Sequence, residues 1–300
     1  MPRRSTPRIV ATLVAFATAL VLFQTAALAR VKIAVWGDSR ENRDNATVQI
    51  ADVLLHKITD WDFQIHTGDF THRGKPSDWQ RTLGYPGIRQ LFVRGKFFMC
   101  TSNHDDVLAT YDRYTADVLP RNPVDHTTHF FSIQRENVHV VFCDQFFTPD
   151  SVTTAWLERD LAEVTPDMWL IAVWHEPCYG GITYKKPALK QVLPWLQVLY
   201  RHGGDFVLHG HAHVYVRTYP LNPDGLVDQE RGMVHIINGT GGAGWKHPQI
   251  PTWRTAFTPD TRSFPTITFI TIDGHTATVQ TVDARPGHDL RVIDQTTLTR

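Results

Sequence analysis

The 300-residue chain has little of several features that usually announce a function. It carries only three cysteines, Cys100, Cys143 and Cys178. An odd count at wide spacing makes no disulfide framework. Cys100 and Cys143 each close an apolar run, so buried, inert thiols are expected, with a single disulfide as the alternative. Charge of one sign is also lacking, because 30 Lys and Arg balance 30 Asp and Glu. No net field therefore points to nucleic acid or an anionic membrane as the partner. The chain has no internal repeat and no low-complexity tract. Past residue 29 no apolar run approaches the roughly 20 residues that a membrane span requires.

Residues 1–29 have their own pattern. Arg3, Arg4 and Arg8 form a basic start, Ile9 to Phe23 is uncharged and mostly apolar, and Ala27-Leu28-Ala29 offers small residues at a cleavage site. Together these form the three-part pattern of a secretory signal peptide. Cleavage near Ala29 would leave residues 30–300 as one exported domain, periplasmic or secreted, with no stable membrane span. An uncleaved anchor is the alternative. The Arg3-Arg4 pair hints at twin-arginine export, but Ser5-Thr6-Pro7 is not the apolar sequence that should follow.

With 42% hydrophobic residues over its full length, the chain can bury a sizeable core. One arrangement recurs along it: a short run rich in Val, Ile and Phe ends abruptly in polar residues. Val31 to Trp36 precedes Gly37-Asp38, Phe63 to Thr67 precedes Gly68-Asp69, and Phe97 to Thr101 precedes Asn103-His104-Asp105. Val138 to Cys143 leads to Asp144, Trp169 to Trp174 to His175, and Phe206 to His209 to Gly210-His211. Such runs read as strands.

Helical spacing lies between some of the strands, at Val48, Ala51, Leu55 and Ile58, and around Trp156 and Leu161. It recurs at Leu189, Leu193, Leu196 and Tyr200, where Pro194 should kink or restart the helix. Strands alternating with helices indicate an α/β sheet that gathers its ligands beyond the strands' carboxyl ends. Toward the end, Asn238-Gly239-Thr240-Gly241-Gly242 reads as a flexible loop. Two runs, 266–272 and 276–282, flank Asp273-Gly274 and should form a hairpin belonging to a second sheet.

Sixteen histidines is a high count, and many of them cluster at these strand ends. A single Gly-Asp after a strand is usually only a turn, and a lone His at a strand end is usually a hydrogen-bonded structural residue. His66 and His209 read that way, and Trp36 and Trp174 read as core. Tyr184, Lys185 and Lys186 read as a solvated loop or as the border of a cleft.

The ordered set says more than its members. Gly37-Asp38-Ser39-Arg40, Gly68-Asp69, Asn103-His104-Asp105, His175 and Gly210-His211-Ala212-His213 resemble the blocks of the calcineurin-like metallophosphoesterase family. The stretch from His211 to Pro220 and the run Asn238 to Gly242 look like its purple-acid-phosphatase-like branch. The resemblance implies a four-layer α/β/β/α sandwich of two mixed sheets. It also implies two divalent or mixed-valence ions (Mn, Fe, Zn or Co). Asp69 would bridge them, Asp38 and His213 would complete the first site, and Asn103, His175 and His211 the second. His104 would be the general acid, oriented by Asp105.

The implied reaction is hydrolysis of a small phosphate ester by a hydroxide held between two ions, which activate water, clamp phosphoryl oxygens and relieve leaving-group charge. The same centre could serve a phosphodiesterase or nucleotidase. A non-catalytic metal- or phosphate-binding protein is the remaining alternative.

Two departures from the family pattern matter. Arg40 stands where the first block usually ends in His, and a guanidinium has no lone pair for a metal. It could grip a phosphate oxygen pair or pair with a carboxylate. His72 stands where the purple acid phosphatases have a tyrosine, and is expected as the first site's fourth protein ligand, with water as the alternative. Ser102 replaces a glycine and is expected to cost some stability. Without a tyrosine at position 72, iron-loaded protein should lack the purple tyrosinate–iron(III) colour. A visible absorption spectrum checks this, and an intense purple band would contradict it.

Overall fold

The computed structural model describes residues 29–179, 188–246, 254–259 and 264–300. The expected signal segment, apart from Ala29, lies outside these residues, as do Tyr184, Lys185 and Lys186. Among the described residues no helix is long and apolar enough to cross a membrane.

Strand β1 (Val31–Trp36) is paired in parallel with β2 (Phe63–His66), and β2 with β3 (Phe97–Met99). Three antiparallel strands extend the other edge: β11 (Thr266–Asp273), β12 (Thr276–Asp283) and β13 (Val292–Thr299). This sheet runs β13-β12-β11-β1-β2-β3. The second sheet runs β10-β8-β9-β7-β6-β5-β4. Its members are β4 (Phe131–Arg135), β5 (Val138–Phe142), β6 (Trp169–Val173), β7 (Phe206–His209), β8 (Tyr215–Leu221), β9 (Met233–Asn238) and β10 (Thr255–Phe257). In it β5, β6, β7 and β9 are parallel, and both sheets are therefore mixed.

Period-two alternation shows how the layers stack. On β6, Trp169, Ile171 and Val173 join a core shared with the first sheet, while Leu170, Ala172 and Trp174 join a separate core on the opposite face. Strands β5 and β7 divide their side chains in the same way. Phe98 of the first sheet meets Phe131 and Phe142 of the second, with ring centroids 6.5 and 6.1 Å apart. The outer face of the second sheet is covered by α5 (Asp150–Leu161) and α6 (Leu189–Arg201) through Trp156, Leu157, Val192 and Trp195. On the first sheet's side, α1 (Ala46–Asp52), α2 (Pro76–Gly84), α3 (Ile88–Leu91) and α4 (Leu108–Thr115) contribute Ile50, Trp79, Leu91 and Tyr111. The result is the four-layer α/β/β/α sandwich.

Three expectations change. The C-terminal hairpin joins the sheet that contains β1, not the second sheet. β1 keeps one edge open after pairing with β2, and β11 fills it, Ile33 facing Ile270. The turn residues are Gly274 and His275, because Asp273 faces Thr276. Helix α6 runs on through Pro194 without dividing.

Residues 238–242 are a buried bridge between the sheets, not a flexible loop. The Asn238 amide, at the end of β9, donates to Val35 O at 3.1 Å and to Thr268 Oγ1 at 3.1 Å. Its carbonyl accepts from the hydroxyls of Thr240 and Thr266, both at 3.0 Å. The Gly241 N–H donates to Gly37 O at 2.8 Å, beside Asp38. Replacing Asn238 strips several buried groups of their partners at once. Asn238→Ala should destabilise the fold by about 2–4 kcal/mol. Denaturant titration checks this, and an unchanged midpoint would show that Asn238 does not tie the sheets.

Candidate metal centre

All seven residues expected as ligands sit in loops at the carboxyl ends of β1, β2, β3, β6 and β7, together with Arg40 and His104. These loops turn sharply. Asp38, Asp69, His211 and His213 all have left-handed φ, at 59°, 55°, 64° and 52°. Non-glycine residues seldom adopt that region, and when several do so together the surrounding structure must hold them. Here the main chain supplies the hold. Asp38 N donates to Gly68 O at 2.9 Å, Arg40 N to Asp69 O at 3.1 Å, and Gly210 N to His175 O at 3.0 Å.

One group of donors converges on Asp69. His175 Nε2 lies 3.2 Å from Asp69 Oδ1 and 3.1 Å from Asn103 Oδ1. His211 Nδ1 lies 3.1 Å from Asn103 Oδ1 and 3.3 Å from His175 Nε2. Ligands at about 2.1 Å from one ion stand roughly 3.0–3.4 Å apart, whether tetrahedral or octahedral. The Nδ1–H of His175 donates to Thr67 O at 2.7 Å, which fixes the tautomer that turns the Nε2 lone pair into the group.

The second group is Asp38, Asp69 and His213, all buried, with donor atoms within 4.8 Å of one another. His213 Nε2 lies 3.4 Å from Asp38 Oδ1, and its Nδ1–H donates to Gly244 O at 2.9 Å. The two groups share Asp69. Both oxygens of that carboxylate are fully buried, and neither accepts a hydrogen bond. An anion so placed needs a cation. Burial would push its pKa up, but His175, His104 and Arg40 outweigh that and hold it far below the usual carboxylate range. The effect on His175 is reciprocal: burial alone would lower it, but the Asp69 carboxylate raises it to about 9. The donors, all oxygen or imidazole nitrogen, would suit two ions sharing Asp69, of the manganese, iron, zinc or cobalt kind.

Arg40 lies against this centre. Its Nε is 3.3 Å from Asp69 Oδ2, and its Nη1 is 3.4 Å from Glu41 Oε1. That Nη1 also donates to His72 Nδ1 at 3.3 Å. His72 therefore faces Arg40 and Glu41, and among the described residues it falls in neither close donor group. Burial and the Arg40 charge lower its pKa. His104 donates from Nδ1 to His72 O at 2.7 Å, which leaves its Nε2 4.0 Å from Asp69 Oδ2.

Asp105 does not touch the His104 ring. It accepts from Phe70 N, Thr71 N, Thr71 Oγ1 and Ser102 Oγ at 2.7–2.9 Å. It braces the turn that follows Asp69, and makes no hydrogen bond to the imidazole that the resemblance expects it to orient. Ser102 is likewise no liability. Its φ is not positive, and its hydroxyl is one of the bonds to Asp105.

Sequence reasoning missed the backbone carbonyls of Thr67 and Gly244, because a carbonyl leaves no residue-type signal. It also missed the close packing around Asp38. A Cβ on Gly210 would lie 2.4 Å from Asp38 Oδ2, and one on Gly239 2.7 Å from the same atom.

Comparison with known proteins bears on the family and the fold. Residues 31–215 match the family model for calcineurin-like phosphoesterases. The chain is 31% identical over 128 residues to purple acid phosphatase 15 of Arabidopsis thaliana, an overlap of 39% of this chain and 22% of that protein. It is 34% identical over 104 residues to an acid phosphatase of Aspergillus ficuum, covering 29% of this chain and 16% of that protein. These alignments thus span about a fifth of the relatives' length. The fold superposes on purple acid phosphatase PPD1 from yellow lupin with a TM-score of 0.69 at 16% identity, covering 91% of this chain and 54% of that one. It superposes on PhoD with a TM-score of 0.64 at 12% identity, covering 91% and 70%.

Gly210→Ala should push Asp38 out of place and weaken metal binding by more than tenfold, while circular dichroism stays unchanged. Metal analysis after dialysis checks this, and full retention of metal would show that Asp38 tolerates the displacement.

Proposed function

The chain belongs to the calcineurin-like phosphoesterase family, and on that footing we propose that it hydrolyses small phosphate esters at a centre of two metal ions. The observation that carries this is the buried Asp69 carboxylate, which has no hydrogen-bond donor and is flanked by two donor groups. Asp38, Asp69 and His213 would hold one ion, and Asp69, Asn103, His175 and His211 the other. When bound, the pair supplies an activated water and positive charge for the phosphoryl oxygens.

The chain's own residues do the rest. His104 is proposed as the general acid. Its Nδ1–H is committed to the His72 carbonyl, so a proton for the leaving oxygen would be carried on Nε2, on the Asp69 side of the ring. With its side chain 29% accessible, a substrate can reach it. Arg40 is proposed to offer its guanidinium to a phosphate oxygen while offsetting the Asp69 charge. His72 is proposed to steady Arg40 through Nδ1 instead of ligating the first ion. Asp105 positions the Asp69 turn and touches no substrate.

Variants separate these roles on a panel of chromogenic phosphate mono- and diesters. His104→Ala should cut kcat by about 10²–10⁴-fold with two ions per chain retained. Arg40→Ala should raise KM more than it lowers kcat, and His72→Ala should keep both ions. Full activity of His104→Ala would remove it as the acid, and loss of one ion from His72→Ala would make it a ligand. No hydrolysis by the wild type with any of the four metals would sink the catalytic reading.

A further inference from the structure

A second cluster of metal-liking side chains lies outside that centre, on the opposite face of the second sheet. On β9, Val234 and Ile236 point into the inter-sheet core, so His235 points to the outer face. On β7, Leu208 points inward and His209 outward. Parallel pairing sets Val207 beside His235, which makes the two histidines diagonal neighbours on adjacent strands. Cys178 joins them from the loop after β6, three residues past His175. All three are buried, and their donor atoms lie within 4.8 Å of one another.

The separations suit one ion. His209 Nε2 lies 3.1 Å from His235 Nδ1, and Cys178 Sγ lies 3.9 Å from His209 Nε2. Bonds of about 2.0–2.1 Å to nitrogen and 2.3 Å to sulfur place such donors roughly 3–4 Å apart. The His209 Nδ1–H donates to Trp174 O at 3.2 Å, so Nε2 carries the lone pair. His235 then donates from Nδ1 to that lone pair, which leaves its Nε2 as an acceptor. That Nε2 is buried without any hydrogen-bond partner. It can therefore take up the proton that Nδ1 gives up if Nδ1 ligates an ion, and the binuclear centre has no use for this ring.

We propose that Cys178, His209 and His235 form a third metal site, which takes one borderline-to-soft ion of the zinc class through one thiolate and two imidazoles. Its donor set differs in kind from that of the binuclear centre, which contains no sulfur. On binding, the Cys178 S–H bond breaks and a sulfur–metal bond forms, with the proton passing to solvent. The His235 proton moves from Nδ1 to Nε2, and Nδ1 and His209 Nε2 each donate a lone pair to the ion. The two rings keep their neutral charge, and the site gains one positive charge overall. Because Cys178 follows His175 and His209 precedes His211, the ion ties together two loops that carry ligands of the second catalytic position.

Cobalt(II) titration of the full-length chain, followed by absorption, tests this. A thiolate-to-cobalt charge-transfer band in the near ultraviolet is expected, saturating at one ion per chain, and the oxygen- and nitrogen-only centre cannot produce it. Cys178→Ser should abolish the band and lower total bound metal by one ion per chain, and His235→Gln should weaken or abolish it. The double variant Cys100→Ala/Cys143→Ala, which leaves Cys178 as the single thiol of the chain, should keep the band. Asp69→Asn should also keep it while losing metal at the binuclear centre, so failure of one site is read separately from failure of the other. If Cys178→Ser does not fold, the band in the wild type and in the double variant still decides. Absence of the band from cobalt-loaded wild type, or its survival in folded Cys178→Ser, would overturn the proposal.

Discussion

Everything around the metal centre answers to one constraint, the burial of the Asp69 carboxylate. Its two oxygens are buried and accept no hydrogen bond, so the surrounding charges must compensate. His175 does so from one side, and Arg40 and His104 from the other. A buried anion of this kind is costly alone and becomes favourable only when paired. The left-handed turns at Asp38, Asp69, His211 and His213 follow from the same demand, since they bring short side chains into a shared space that extended backbone would miss. Asp105, with four donors of its own, fixes the turn that makes this possible.

Much of this was legible in the sequence, for a physical reason. Strands β1, β2, β3, β6 and β7 each end abruptly where an apolar run meets Gly or a polar residue, and such boundaries can be read locally. Asp38, Asp69, Asn103, His175, His211 and His213 lie at or just past those boundaries, where the family resemblance singled them out as candidate ligands, and the fold brings them together. The sheet assignment of the 266–283 hairpin could not be read locally. Its own residues fix that it is a hairpin, but its neighbour is decided by the open edge of β1, more than 200 residues away. The burial of residues 238–242 was hidden for a similar reason. Glycine-rich runs look mobile until their long-range hydrogen-bond partners are known.

Side-chain roles split along the same line. Arg40 could be excluded as a ligand from its chemistry alone. Beside the adjacent Glu41, its neighbours Asp69 and His72 come from the loop after β2 and needed the fold to be seen. The family resemblance implied that Asp105 orients His104, the residue before it. The two side chains nevertheless diverge, because Asp105 turns inward to Thr71 and Ser102 while His104 stays at the rim. His209 looked structural for want of visible partners, and the pairing of β7 with β9 supplied His235.

The distances along the chain between the ligating residues carry a further consequence. The Asp38 carboxylate accepts from the backbone of a residue 173 positions away, and the His175 imidazole reaches a carbonyl 108 positions away. No short fragment of the chain holds either donor group, so an unfolded chain would have no comparable affinity for the ions. Ions that bind only the native state add to its stability in proportion to the logarithm of their concentration. The metal supply of the compartment in which the chain folds would therefore set how long the folded protein lasts, as well as whether it is active.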